Sequence, residues 1–397
     1  MHVRSLAARC AGVWPHAKGR LSGRRRSFFV AALAALALAG AATAASPAIG
    51  AAARAQAPSA AAAAVKWHKQ SIPSGLADLH LQSVSCAKDG KHCMTGGIFC
   101  TVGGCGGLIS FAVLTTTNGG KTWKKRSLPK NLGDIGSISC GSKTFCVAPV
   151  TKGPLGPNTK SSLLETKNGG SSWKVVTTPG DANVGEVSCP TASTCFAGSY
   201  ISPNDVIDKT TDGGSKWTSK TAPAYASKMS CASASHCVAL ADGGFMYTTN
   251  GGSSWHLVSA PGSPSLSAIS CASESACYAV GPNSSDTGLV VLATSNGGKS
   301  WKTKTLPSGI DEVGGIACAN SKRCVVAGDI SKNDESNRVI YATTNSGSKW
   351  SKQSVPTGTG DLEGVWCSPK SYCLASGISL TYSRGSISGI GPYMMAS

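Results

Sequence analysis

Thr116-Thr117-Asn118-Gly119-Gly120-Lys121-Thr122-Trp123 reads as a tight turn that delivers an indole into a following strand. The stretch returns as TKNGGSSW at 166–173, TTDGGSKW at 210–217, TTNGGSSW at 248–255, TSNGGKSW at 294–301 and TTNSGSKW at 343–350. Asn-Gly-Gly and Asp-Gly-Gly accept positive φ, so each copy predicts a hairpin turn. Self-similarity at a fixed spacing is the mark of a repeat architecture.

A second series runs in step with the first. Cysteines pair as Cys86 with Cys93, Cys140 with Cys146, Cys189 with Cys195, Cys231 with Cys237, Cys271 with Cys277, Cys318 with Cys324 and Cys367 with Cys373. The first member recurs about every 47 residues. Between the markers each unit reads as four short strands. One ends at the first cysteine and one begins at the second. A third runs into the turn box, and a fourth leaves the Trp and stops at a proline (WKKRSLP, WTSKTAP, WKTKTLP). A period of 40–50 residues with four strands per unit predicts a β-propeller. Composition agrees: charged residues are 14% of the chain and glycines number 48, against roughly a quarter charged and about 7% Gly in ordinary domains. That excludes charge-rich helical bundles.

The two chain ends are complementary. Trp67-His68-Lys69-Gln70-Ser71-Ile72-Pro73 is a fourth strand with nothing before it, whereas the segment from Cys367 to Gly385 supplies three strands with no Trp strand after it. Thr381 to Ser388 aligns with the turn box but has lost its Asn/Asp and its Trp. The expectation is therefore an all-β, seven-bladed propeller of four-stranded antiparallel blades over 66–388, closed by the N-terminal strand and followed by a tail at 389–397. Closing the ring removes the free ends an open solenoid would leave.

The first 65 residues read differently. Arg4, Arg9, Lys18, Arg20, Arg24, Arg25 and Arg26 precede an apolar run from Phe28 to Ala45 and an Ala42-Thr43-Ala44 exit, with no acid before Asp78. This is the pattern of an export signal over 1–44. Arg25-Arg26-Ser27-Phe28-Phe29 also resembles the twin-arginine motif; an ordinary secretion signal and a retained anchor are the alternatives. The Ala/Pro-rich 45–65 reads as a flexible linker. Cutting after Ala44 lowers the net charge from +18 to about +11, because seven of the 37 Lys and Arg precede that point. An exported chain is disulfide-permissive, so the seven cysteine pairs are expected as structural bridges, with Cys100 and Cys105 forming an eighth. A C-x5-C spacing without convergent histidines fits no common zinc site, and no metal or cofactor is expected.

The boxes follow S/T-x-D/N-x-G-x-S/T-W and resemble the Asp box, the bacterial-neuraminidase repeat. The resemblance implies a structural role for Asn118, Trp123, Asn168, Trp173, Asp212, Trp217, Asn250, Trp255, Asn296, Trp301, Asn345 and Trp350. The amide or carboxylate would accept N–H groups across the turn, and the ring would fill the space between sheets. Boxes, period and the GG-x-x-W-x-x-x-x-x-P rhythm over about 66–388 resemble the photosystem II assembly and stability factor family. That family implies a non-enzymatic, exported propeller acting on protein partners. This sequence departs from it through its regular cysteine pairs and its few arginines. A second class sharing Asp boxes is the sialidase-like glycoside hydrolase, and a lectin-like glycan binder is a further alternative. Sialidases need three arginines around a substrate carboxylate, and the propeller region offers only Arg126, Arg323, Arg338 and Arg384. No paired carboxylates of the glycosidase kind stand out, so no catalytic residues are expected.

For a binding face, the lead-in loops place Asp78, Asp134, Asp181, Asp311 and Asp361 just before the innermost strands. They are candidates for an acidic ring at the channel mouth, or simply turn acids. The partner expected is a protein or glycan ligand of the cell envelope, met by a secreted or periplasmic monomer. Lysines cluster in and just after the boxes, where they are read as guards of the outer edge strands, with a surface for an anionic partner as the alternative. No aromatic–basic interleaving of the nucleic-acid kind is present, and membrane contact is expected only through an uncleaved signal.

Overall fold

The computed structural model describes residues 66–99, 110–152, 160–307, 310–332, 335–369, 372–383 and 386–397. The expected export signal (1–44) and linker (45–65) lie outside the described residues. The chain forms seven antiparallel sheets arranged as a ring, a β-propeller. In blade three the strands Asn183–Ser188, Cys195–Ile201, Asn204–Thr210 and Thr218–Thr221 pair in sequence order, from the inside outward. Blade two differs in its innermost strand, which is split into Leu132–Ile135 and Ser139–Cys140. The innermost strands of neighbouring blades touch all the way round, and those of blades one and seven touch each other, so the circle is complete.

Closure follows the complementarity of the ends. His68–Lys69 pairs with Ser386–Ala396, which pairs with Cys373–Ser383 and then Leu362–Cys367. One boundary is corrected. The expected tail at 389–397 is the greater part of the third strand of blade seven, and Thr381 to Ser388 spans a hairpin between strands two and three rather than a worn turn box. The cause is burial: Ile390, Tyr393, Met394 and Met395 lie inside the blade. The apolar run past Ser388 therefore continues the strand, and the missing fourth strand comes from the other end of the chain.

Seven separate apolar cores hold the ring, one in each seam between blades. The box tryptophans enter these seams; Trp301 of blade five stacks on Phe245 of blade four with ring centroids 3.8 Å apart and planes 6° from parallel. Such a pair contributes about 1 kcal/mol beyond burial.

The boxes repeat one hydrogen-bond pattern. The opening Thr hydroxyl donates to the Asn or Asp side-chain oxygen two residues on, at 2.8–3.0 Å. That oxygen also accepts the backbone N–H four residues further along, at 2.9–3.0 Å. Gly119 and Gly120 occupy φ of +72° and +90°, angles that cost a side-chain-bearing residue energy. The N–H of Gly119, and of its equivalents Gly169, Gly213, Gly251, Gly297 and Ser346, donates to a carbonyl in the cysteine hairpin of the same blade. Boxes and cysteine hairpins thus share one end of the ring, here the basal end. The lead-in loops and the turns between strands two and three form the other, the mouth end.

Seven disulfides close the cysteine hairpins, as the spacing of the pairs led us to expect. Cys86 is bonded to Cys93, Cys140 to Cys146, Cys189 to Cys195 and Cys231 to Cys237. Cys271 is bonded to Cys277, Cys318 to Cys324 and Cys367 to Cys373. Each joins residues that face one another across the hairpin, with Cα atoms 3.9–4.1 Å apart. The eighth expected bridge differs in standing, because Cys100 and Cys105 both lie outside the described residues. Chain-entropy arguments give each of the seven roughly 2 kcal/mol for so short a loop.

Candidate functional site

The mouth end is uneven. Its hairpins are low at blade four, where strands end at Ala241 and restart at Gly244, and tall at blade six (Cys324–Lys332 with Glu335–Thr343) and blade seven (Cys373–Ser383 with Ser386–Ala396). Loops of differing height on a rigid ring are where binding chemistry is usually carried.

The five predicted aspartates do not share one environment. Asp311 is exposed and Asp78 half-buried, while Asp134 and Asp361 are buried; the side chain of Asp181 is outside the described set. The backbone N–H of Asp134 donates to the Thr151 hydroxyl. Asp361 accepts from Arg338 Nη2 at 2.9 Å, with the Arg338 side chain only 10% exposed. Arg338 comes from the third strand of blade six and Asp361 from the lead-in to blade seven, so this ion pair crosses the seam.

Around it gathers an acidic cluster that the sequence reading missed. Asp329 stands directly opposite both Glu312 and Arg338 in register, and its carboxylate lies 3.8 Å from Arg338 Nε. Burial, reinforced by the Asp361 charge, pushes the Asp329 carboxyl up to about 8. Burial with the charges of Asp361 and Glu312 pushes Glu363 up to about 8 as well. One guanidinium thus faces Asp361 and Asp329 of a cluster of four carboxyl groups, and the two raised ones, Asp329 and Glu363, keep the local charge down by holding protons.

Across the channel the chemistry changes. Lys228 Nζ lies 3.1 Å from Glu186 Oε2, with Lys228 44% exposed and Glu186 8%, and the Ser137 hydroxyl also reaches that carboxylate. The Glu186 charge holds the Lys228 ammonium above its ordinary value. Tyr225, in the lead-in to blade four, and Tyr200, at the tip of blade three, are two of the three large apolar side chains exposed among the described residues. Burial of its hydroxyl, with Glu186 and Asp205 nearby, pushes Tyr225 up to about 12. A signal for the pair was present: Glu186 and Lys228 each stand three residues before a first cysteine, the same repeat position in adjacent blades.

No hydrolase constellation assembles among the described residues. Arg126 is bonded to the Thr115 hydroxyl on an outer strand, and Arg338, the one described arginine at the mouth end, is held by Asp361. Arg323 lies in a basal hairpin. Among the described residues no group of three His, Cys, Asp or Glu could hold a metal.

No family model and no curated protein matches the chain. Solved structures do. YCF48 from Cyanidioschyzon merolae is similar at 15% identity and a TM-score of 0.56, over 83% of this chain and 98% of that one. YCF48 bound to D1 peptide gives 16% and 0.53, over 83% and 96%. A catalytically inactive virginiamycin B lyase from Staphylococcus aureus with quinupristin gives 11% and 0.54, over 84% and 99%. At these identities the likeness is one of fold, and propellers that bind and propellers that catalyse both share it.

Proposed function

We propose that this chain is an exported, non-enzymatic propeller that binds a protein partner across its mouth end. The observation that carries the reading is the division of that end. Exposed Tyr200 and Tyr225 beside the Glu186–Lys228 pair form an amphipathic anchor on one side. The other side is acidic, with Asp311, Glu312, Asp329, Asp361 and Glu363 around a single ion-paired arginine. Aromatic anchors ringed by charge suit a peptide segment with a cationic residue. A peptide-bound propeller of the same fold, YCF48 with D1 peptide, supports the reading. Seven disulfides are consistent with an oxidising compartment, and the Asn or Asp and Trp residues of the turn boxes are read as structural Asp-box residues with no part in binding at the mouth end.

The test is capture from cell envelope by the full chain, set against the Tyr200→Ala/Tyr225→Ala double variant. Loss of the captured protein at least tenfold, with unfolding unchanged, is expected. Equal capture by both would overturn the assignment of the mouth end. Turnover of a fluorogenic sialoside by the wild-type chain would overturn the non-enzymatic reading in favour of a sialidase.

A further inference from the structure

The basal end carries the opposite charge. Five of the six turn boxes present an exposed lysine there: Lys121, Lys167, Lys216, Lys299 and Lys349. The cysteine hairpins beside them add Lys88, Lys91, Lys143 and Lys322, all exposed. Among the described residues the same turns hold only three acids, and each is occupied. Asp89 accepts from the N–H groups of Lys91 and His92 and pairs with the His92 ring. Asp212 accepts from Thr210 and the N–H of Lys216. Glu274 accepts from Ser233 and Ser235. Among the described residues only Lys167 of the five box lysines has a carboxylate within ion-pairing distance, Glu165 at 4.0 Å.

Protection of sheet edges does not account for this. Lysine guards an edge by sitting on the outer strand, whereas these lysines sit on hairpin turns, which have no edge to guard. Holding so many uncompensated like charges on one end is unfavourable until a counter-charge arrives. The band also turns the corner: Lys124, Lys174 and Lys302 directly follow a box tryptophan and stand exposed at the basal start of the outer strands. A flat surface laid against the basal turns would leave those side-facing lysines untouched, and a flexible chain would reach both sets. Lysine is a compact point charge that reads charge density, whereas planar bidentate recognition belongs to arginine, and the basal turns supply one, half-buried Arg323.

We propose that the basal end is a docking surface for a flexible polyanion of closely spaced phosphates, which follows the lysine band from the box turns onto the outer strands. The protein would then join two partners, one at each end of the ring.

The test is titration of the full chain with fluorescently labelled inorganic polyphosphate. If about five lysines are engaged, binding at about 200 mM salt is expected to be about a hundredfold weaker than at about 50 mM. Substituting Lys121, Lys216, Lys299 and Lys349 by Gln should weaken binding at low salt more than tenfold and flatten the salt dependence. The matching Lys→Arg variant should retain both. No binding at low salt, or a salt slope the four Gln substitutions leave unchanged, would overturn the proposal. Anionic phospholipid vesicles held as tightly as the polymer would replace it with a membrane surface. The Tyr200→Ala/Tyr225→Ala variant should bind polyphosphate normally, so failure here and failure of the mouth-end reading are separable.

Discussion

Five seams between blades are fastened alike, and two are not. The serine preceding the first cysteine of one blade accepts the backbone N–H of the first cysteine of the next: Ser85 from Cys140, Ser139 from Cys189, Ser188 from Cys231, Ser230 from Cys271 and Ser270 from Cys318, at 2.9–3.1 Å. At the next two seams Ala317 and Trp366 occupy the serine position. There the fastening is of another kind. Between blades six and seven it is the Arg338–Asp361 ion pair. Between blades seven and one the Tyr372 hydroxyl donates to the Gly90 carbonyl. The innermost strands of blades six and seven also press together: a Cβ on Gly314 would lie 1.6 Å from the Leu362 carbonyl oxygen, so no other residue fits there. The neutral latch repeats with the repeat. The Arg338–Asp361 clasp stands between two tall mouth-end hairpins beside Asp329 and Glu363, whose raised carboxyl values make that seam sensitive to pH. The Glu186–Lys228 pair, by contrast, crosses the serine-latched seam between blades three and four and has its lysine 44% exposed.

The largest test of this contrast is removal of the clasp. Arg338→Ala leaves Asp361 buried and without its guanidinium, and breaking one side of a buried pair costs about 3–5 kcal/mol. Denaturant unfolding of the disulfide-intact protein should show a loss of that order. A loss below about 1 kcal/mol would mean the seam is held by packing alone.

A second test uses proton linkage. The Asp329 carboxyl is pushed up to about 8 in the folded chain, against an ordinary value of 3.8. A raised folded value means the stability it contributes is whole below about pH 4 and lost as pH rises through about 8. Glu363 acts in the same direction. Wild-type stability should therefore fall between about pH 4 and about pH 8. Asp329→Asn, which keeps the shape and removes the titration, should flatten that fall and stabilise the protein near pH 8 by about 2 kcal/mol. An Asn variant less stable than wild type at that pH would show that Asp329 acts mainly as a counter-ion to Arg338.

The difference between the seams also explains what could be read before the structure. Period, blade number and the pairing of chain ends were visible because each is written in local, repeated words: the boxes, the cysteine pairs, the Trp strand without predecessors. The serine latch was visible too, as a Ser-Cys dipeptide at five of seven cysteines, but its partner lies in the next blade and only the ring closure brings them together. The clasp was not legible. Arg338 and Asp361 are 23 residues apart across a turn box, and which side chains meet there depends on register, since Asp329 faces Arg338 only because Asp329 pairs with it in the strand ladder. The last strand was misread because a faint likeness of Thr381 to Ser388 to the box outweighed the buried apolar run at Ile390 to Met395.

The smaller tests exchange one kind of seam for the other. Ser139→Ala removes the acceptor for the Cys189 N–H and should cost about 1 kcal/mol, the worth of one neutral hydrogen bond in a partly buried seam. The reverse substitution is sharper because its sign differs. Ala317 occupies the latch position facing the first cysteine of blade seven, and Ala317→Ser supplies an acceptor for the Cys367 N–H. In the wild-type background the gain should be small, about 0.5 kcal/mol, because the ion pair already holds that seam. In the Arg338→Ala background the same substitution should recover more, since the two fastenings then no longer duplicate each other. Couplings of about 0.5 kcal/mol or more are measurable in a double-mutant cycle. A cycle that closes to zero would show that latch and clasp are independent features of the seam, and that the charged cluster owes its place to the mouth end alone.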